Sequence, residues 1–257
     1  MSKVPEMMPS ARSSERPAQP ERHDRYVWAA RVYDLATAGW TGGAIWKTRA
    51  FAIEEIIEGS RIVVPGGGTG RDALAAARRG AHVTLVDRSP AMLRRAQARI
   101  ARAPTTKGSI ELIEADLFEW SPAQPVDGVL ASHILNVYGP IEMRALRARL
   151  LGWLAPGGRL WVADFAPLRG PAPLRALQRL AHILPLGGCA WLTGNALHPI
   201  YDHGAELARE GLPPSHTRDA RVFTFGPRWY RTWTFPAPPA DPKSGSTGGA
   251  GEAPAIS

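Results

Sequence analysis

Cysteine occurs once, at Cys189. A single thiol cannot close an internal disulfide, and a reducing compartment is permitted. No run of about 18 apolar residues occurs, so no spanning helix is expected. The N-terminus lacks an apolar signal core. Residues 1–23 are polar and rich in Pro, Ser and Arg, and they read as disordered. Residues 237–257 are rich in Pro, Gly, Ser and Ala and read the same way. Residues 1–20 and 240–257 are therefore expected to be dispensable for folding. The expected location is cytoplasmic, with peripheral membrane contact left open. His82, His133, His182, His198, His203 and His216 form no paired-ligand motif, so no metal is expected. No internal repeat is present.

What the chain does have is enough apolar material for one α/β domain, assigned to residues 24–236. Of its 257 residues, 44% are hydrophobic. The formal charge is +8 and the pI about 10.2. Arg94, Arg95 and Arg99 lie along one expected helix, and Arg144, Arg147 and Arg149 along another. A basic excess fits nucleic acid or an anionic membrane surface. A solvated, Arg-rich surface explains it more simply, and nucleic acid is not expected as a partner.

Residues 61–72 carry the densest signal. The β-branched run Ile62 to Val64 stops at Pro65, and glycines follow at Gly66, Gly67, Gly68 and Gly70. An Ala-rich helical pattern then runs from Asp72 to Arg79. Such a turn lets the backbone approach a ligand, and the helix N-terminus offers unpaired N–H groups. A dinucleotide fingerprint needs a third glycine at position 71, which is Arg71. That disfavours a nicotinamide-dependent reductase. The spacing is G-x-G-x-G, through Gly66, Gly68 and Gly70.

A second strand, His82 to Val86, ends at Asp87. Ser89 suits an N-cap and Pro90 the first helical position. An acidic residue about 20 residues past the glycines can accept hydrogen bonds from ribose hydroxyls. Further strands are expected at Ser109–Ile113, Val126–Ser132 and Arg159–Asp164, with helices between them. This alternation predicts a Rossmann-like, seven-stranded, mostly parallel sheet with helices on both faces. Arg221–Phe225 and Arg228–Phe235, split by Gly226-Pro227, predict a C-terminal antiparallel hairpin. Its interleaved aromatics and arginines could stack bases, but a half-buried sheet edge is the better reading. Pro65/Gly66, Asp87, Asp116 and Ser132-His133 all fall at strand ends, so they should face one crevice.

These motifs resemble the class I methyltransferases that use S-adenosyl-L-methionine (SAM), from about Tyr26 to Phe235. The resemblance implies that Gly66, Gly68 and Gly70 hold the methionine part of SAM and Asp87 its ribose. Asp116 and Leu117 would flank the adenine, and Arg88 and Met92 would belong to the same cofactor site. Ser132 and His133 would line the methyl-transfer site, with Asn136 and Tyr138 beside the acceptor. Tyr26, Trp28 and Tyr33 are candidates for a lid whose aromatic faces suit a cationic sulfur. They are equally readable as helix-packing aromatics. His133 is the candidate catalytic base, because an imidazole can take a proton near neutral pH.

Within the family, Tyr33-Asp34-Leu35, Trp46-Lys47 and Ile134-Leu135-Asn136-Val137 resemble elements of the quinone-biosynthesis C-methyltransferases. Two departures stand out. Val64 occupies a position that many members fill with an acidic residue. The string Pro65-Gly66-x-Gly68-x-Gly70-x-Asp72 looks instead like thiol and halide methyltransferases. Residues 185–216 do not reproduce the segment that shapes the quinone enzymes' acceptor pocket. The expected activity is methyl transfer to a small or lipid-like acceptor, with a thiol or a phospholipid amine as alternatives. A non-catalytic SAM-binding or assembly protein is the competing class.

Overall fold

A computed structural model describes residues 41–180 and 200–239. The lid candidates Tyr26, Trp28 and Tyr33, both tails up to 40 and from 240, and Cys189 lie outside the described residues. Helix α1 (Ala44–Glu54) leads into strand β1 (Arg61–Pro65). Then come α2 (Arg71–Arg78), β2 (His82–Asp87), α3 (Pro90–Ala101) and β3 (Ser109–Glu114). β4 (Val126–Ser132), a 3₁₀ turn at Leu135–Val137, α4 (Pro140–Gly152) and β5 (Leu154–Phe165) follow. Residues 172–180 form helix α5. The described chain closes with α6 (His203–Arg209), β6 (His216–Ala220) and β7 (Tyr230–Pro236).

The seven strands lie in the order β3-β2-β1-β4-β5-β7-β6. β1 to β5 are mutually parallel. β7 runs antiparallel between β5 and β6. Chain order reverses between β1 and β4, which is where such sheets open a crevice at their carboxyl ends.

Alternation along each strand sends side chains to two opposite faces. Ile62, Val64, Val83, Leu85, Leu130 and Trp161 face the side covered by α1, α2 and α3. The small residues Ala73, Ala76 and Ala77 let α2 lie close to the sheet. Val63, Val129, Leu160, Val162 and Trp233 face the other side, where α4 contributes Met143, Leu146 and Leu150. Val64, the position usually acidic in the resembling family, is buried in the first of these clusters.

The antiparallel C-terminal pair is present, but its first strand lies before the expected Arg221–Phe225. Its first strand is His216–Ala220, and residues 221–229 are the connection. Phe225 is 94% exposed, and the Val222 N–H donates to the carbonyl of Pro227 inside this loop. The real edge strand is mostly polar and exposed, so it carries no apolar alternation to read. In α5, Leu174, Leu177 and Leu180 share a face that is exposed rather than packed.

Candidate active site

The glycine turn leaves β1 over the end of β2. Gly66, Gly68 and Gly70 all have positive φ, at 60°, 52° and 75°. That conformation disfavours any residue with a β-carbon. Two of the three are also hemmed in. A β-carbon on Gly66 would strike the Ile134 side chain, and one on Gly70 would come within 2.9 Å of Ala96 Cβ. At Gly68 the space is open: the nearest atom is the Gly66 carbonyl oxygen, at 4.0 Å. The turn is thus packed from beneath and vacant above Gly68.

Asp87 fastens this turn. One carboxylate oxygen accepts the Gly68 N–H at 2.9 Å, and the other accepts the Ser89 N–H at 2.9 Å. Burial raises the Asp87 carboxyl above its ordinary range, although the two N–H donors and the Arg88 charge pull the other way. Each oxygen keeps a lone pair for a further donor, such as a ribose hydroxyl. Arg99 braces the turn from α3, donating to the Thr69 carbonyl at 2.9 Å. Ser89 caps α3 as expected, accepting from the Met92 N–H at 3.4 Å. The Arg88 side is exposed, and Met92 is half-buried.

Asp116 follows β3 and accepts the Phe118 N–H at 2.8 Å, which turns the chain. Next to it, the Leu117 side chain is buried in one cluster with Val86, Val126 and Leu146. Only its backbone remains available beside Asp116. Tyr138 meets Phe118 edge-on at 5.5 Å, and its carbonyl accepts the Tyr201 hydroxyl at 3.0 Å.

A buried polar cluster sits at the ends of β4 and β5. Its centre is Asp164, in the last turn of β5's pleat. The Asn136 amide donates to Asp164 Oδ1 at 2.7 Å, as does the Phe165 N–H. His203 Nε2 lies 3.4 Å from Asp164 Oδ2. His133 Nδ1 is 3.3 Å from Asn136 Nδ2 and 3.7 Å from Asp164 Oδ1. Burial works against charge on Asp164, but the His203 hydrogen bond and the neighbouring histidines outweigh it and hold the carboxyl below its ordinary range. Burial also drives His133 down, to about 4; Asp164 pulls it up, Arg49 pushes it further down and Asp72 pulls up again. Three atoms here are buried without a hydrogen-bond partner: Ser132 Oγ, His133 Nε2 and His203 Nδ1. His133 also has a φ of 53°, which is uncommon for a residue with a side chain.

On α1, Trp46 is flanked by two guanidiniums, Arg71 at 4.4 Å and Arg49 at 5.0 Å. Arg49 also pairs with Asp72 at 3.5 Å. Sequence reasoning expected the glycines, Asp87, Asp116, Ser132 and His133 to face one crevice; in the structure they stand at or just past the carboxyl ends of β1, β2, β3 and β4. It missed Asp164 and His203. Asp164 had a usable signal, since it ends an expected strand. His203 had none, because it opens a seven-residue helix far along the chain.

A mostly parallel sheet with one reversed strand, and a clasped glycine turn at its first carboxyl end, define the class I methyltransferase fold. Residues 62–158 match the family model described as a methyltransferase domain. Demethylmenaquinone methyltransferase of Tropheryma whipplei (strain Twist) is 33% identical over 159 residues, covering 61% of this chain and 64% of that protein. This chain therefore spans less than two thirds of that relative's length. Probable thiol methyltransferase 2 of Arabidopsis thaliana is 29% identical over 131 residues, covering 51% of this chain and 58% of that protein. The solved structure of magnesium protoporphyrin IX methyltransferase from Synechocystis PCC 6803 shares the fold, with a TM-score of 0.58 at 17% identity, over 87% of this chain and 100% of that one. Residues 62–158 are thus similar to a methyltransferase domain, and the sheet shares that fold. Among the described residues no helix is long and apolar enough to cross a membrane.

Proposed function

We propose that this chain is a SAM-dependent methyltransferase acting on a small or lipid-like acceptor. The observation that carries the reading is the turn at Gly66–Gly70, clasped by Asp87 through the Gly68 N–H and open above Gly68. The cofactor suits these residues. The turn leaves room for a chain such as methionine to pass close to the backbone. Asp87 can receive the ribose hydroxyls, and the backbone at Asp116-Leu117 can flank the base. SAM supplies a methyl group already activated on a sulfonium. The protein's share is to align the acceptor and to exclude water.

The relatives' names point to unlike acceptors, a quinone precursor in one case and thiols in another. The acceptor follows from neither. Calorimetry with SAM, S-adenosylhomocysteine and NAD tests the cofactor. Binding of the first two without the third is expected. NAD binding without a response to S-adenosylhomocysteine would overturn the reading. Release of S-adenosylhomocysteine on incubation with quinols, thiols, phenols and carboxylic acids then sorts the acceptor classes.

A further inference from the structure

The His133 ring is held at one nitrogen and unmatched at the other. Asn136 decides which nitrogen carries the hydrogen. Its amide lies 2.7 Å from Asp164 Oδ1. An amide oxygen at that distance from a carboxylate would set two acceptors face to face, so the amide NH₂ points there. The second hydrogen of the same NH₂ faces His133 Nδ1, at 3.3 Å. The direct approach of Nδ1 to Asp164, at 3.7 Å, is too long for a hydrogen bond. Nδ1 therefore accepts, and the neutral ring carries its hydrogen on Nε2.

That Nε2–H has no acceptor, although the His133 side chain is only 8% exposed. A buried N–H left unmatched is costly. The positive φ adds strain at the same residue. Two unfavourable features thus coincide just past the carboxyl end of β4. The groups around the ring are Asp164 and Phe165 from β5, Tyr230 from β7, Arg49 from α1 and Asp72 from α2. Arg49 is the cation among them, and burial and its charge both oppose a second positive charge on the ring. Asp164 and Asp72 would repel a negative partner at Nε2, but each is already answered, Asp164 by Asn136, the Phe165 N–H and His203, and Asp72 by Arg49.

We propose that His133 is a hydrogen-bond donor rather than a base, and that its Nε2–H holds an anionic oxygen of the methyl acceptor, a carboxylate or an ionised phenol or enol. Asn136 and Asp164 are positioning residues that fix this tautomer. An acceptor that arrives ionised brings no proton for His133 to remove. The proposal rests on the methyltransferase reading and adds the acceptor's chemistry to it.

The test labels the histidine rings of the full chain with ¹⁵N, in complex with S-adenosylhomocysteine. His133 signals are identified by their loss in His133→Gln. Between about pH 5 and pH 8, the range in which an ordinary histidine titrates, His133 is expected to keep its hydrogen on Nε2 and to stay neutral. Acetate serves as the carboxylate probe and 4-nitrophenolate as the phenolate probe. At least one should shift the Nε2–H signal saturably, and the one that does names the oxygen source. Asn136→Asp presents an acceptor to Nδ1, so the hydrogen should move there and the probe response should vanish. A hydrogen on Nδ1 in the parent, a ring that charges near neutral pH, or an Nε2–H blind to both probes overturns the proposal.

Calorimetry of His133→Gln completes the test. Its affinity for S-adenosylhomocysteine should stay within about twofold of the parent, well short of the tenfold that 1.4 kcal/mol represents. A loss of tenfold or more would assign Nε2–H to the cofactor's carboxylate and would also overturn the proposal. A parent chain that binds no S-adenosylhomocysteine would instead defeat the methyltransferase reading itself.

Discussion

Asp87, at the end of β2, accepts a hydrogen bond from the backbone N–H of Gly68, 2.9 Å away across the glycine turn. The bond joins a residue expected to meet the ribose with one expected to meet the methionine part. Asp87 therefore shapes the turn and remains a candidate ligand of the cofactor. Asp87→Ala removes both contributions. S-adenosylhomocysteine binding should weaken by about 1–3 kcal/mol, read by calorimetry. Asp87→Asn keeps one acceptor oxygen and should fall between the parent and Asp87→Ala. Equal binding by all three proteins would exclude Asp87 from the site.

Neighbouring glycines should separate stability from binding. A β-carbon on Gly67 would lie 2.6 Å from Leu85 Cγ, inside the core. Gly67→Ala should therefore lower the melting temperature, at a cost of about 1–3 kcal/mol from overpacking. Gly68 faces open space, where the β-carbon of Gly68→Val would meet only the Gly66 carbonyl oxygen, at 4.0 Å. Its positive φ adds strain of about 1–2 kcal/mol. The larger effect should be loss of S-adenosylhomocysteine binding, because valine fills the space above the turn. A Gly68→Val protein that binds like the parent would place the cofactor elsewhere.

The centre of the parallel sheet was legible because β1 and most of β4 are buried on both faces. Ile62-Val63-Val64 and Val129-Leu130-Ala131 are apolar runs, the first ended by Pro65 and its glycines and the second by Ser132. β6 was illegible for the opposite reason. His-Thr-Arg-Asp-Ala at 216–220 lies at a polar edge, while the aromatic alternation just after it belongs partly to a loop. The burial of the Leu117 side chain in the core was not read from its place after β3. The His133 environment was only half legible. Its position at the end of β4 could be read from the chain, whereas its pairing through Asn136 to Asp164 depends on where β5 and α6 pack.

Glu55 ties the end of α1 to three strands. It accepts hydrogen bonds from Trp161 Nε1 at 2.8 Å and Thr234 Oγ1 at 3.2 Å, and meets His216 Nε2 at 2.6 Å. Burial pushes its carboxyl up, but the His216, Trp161 and Thr234 contacts outweigh this and leave it below its ordinary value of 4.5. A carboxyl with a depressed folded value stabilises the fold above its unfolded value and loses that contribution as pH falls through the folded one. Glu55→Gln should cost about 1–3 kcal/mol at neutral pH. Its melting temperature should also fall less than the parent's on acidification below about pH 4.5. Parallel acid limbs in the two proteins would deny Glu55 this role.

Arg147 is the most deeply buried cation among the described residues, and it joins α4 to α6. Its side chain is 2% exposed, and it pairs with Glu206 at 3.1 Å and Glu210 at 3.1 Å. Removing one partner of a buried pair leaves a charge without its counterion, and that penalty typically exceeds what the pair contributes. Glu206 is the more buried of the two acids, so it supplies most of the low-dielectric compensation. Glu206→Ala should destabilise by about 1–3 kcal/mol, because Glu210 still answers one guanidinium nitrogen. Removing both acids should cost about 3–5 kcal/mol. Arg147→Met also removes the ion pairs, but it fills the site with an apolar chain of similar length and leaves no buried cation. It should be milder than the double acid variant. Urea unfolding of the three proteins gives the order directly. If Arg147→Met is the most damaging of the three, the ion pairs themselves, rather than the avoidance of a stranded charge, hold α6 against the sheet.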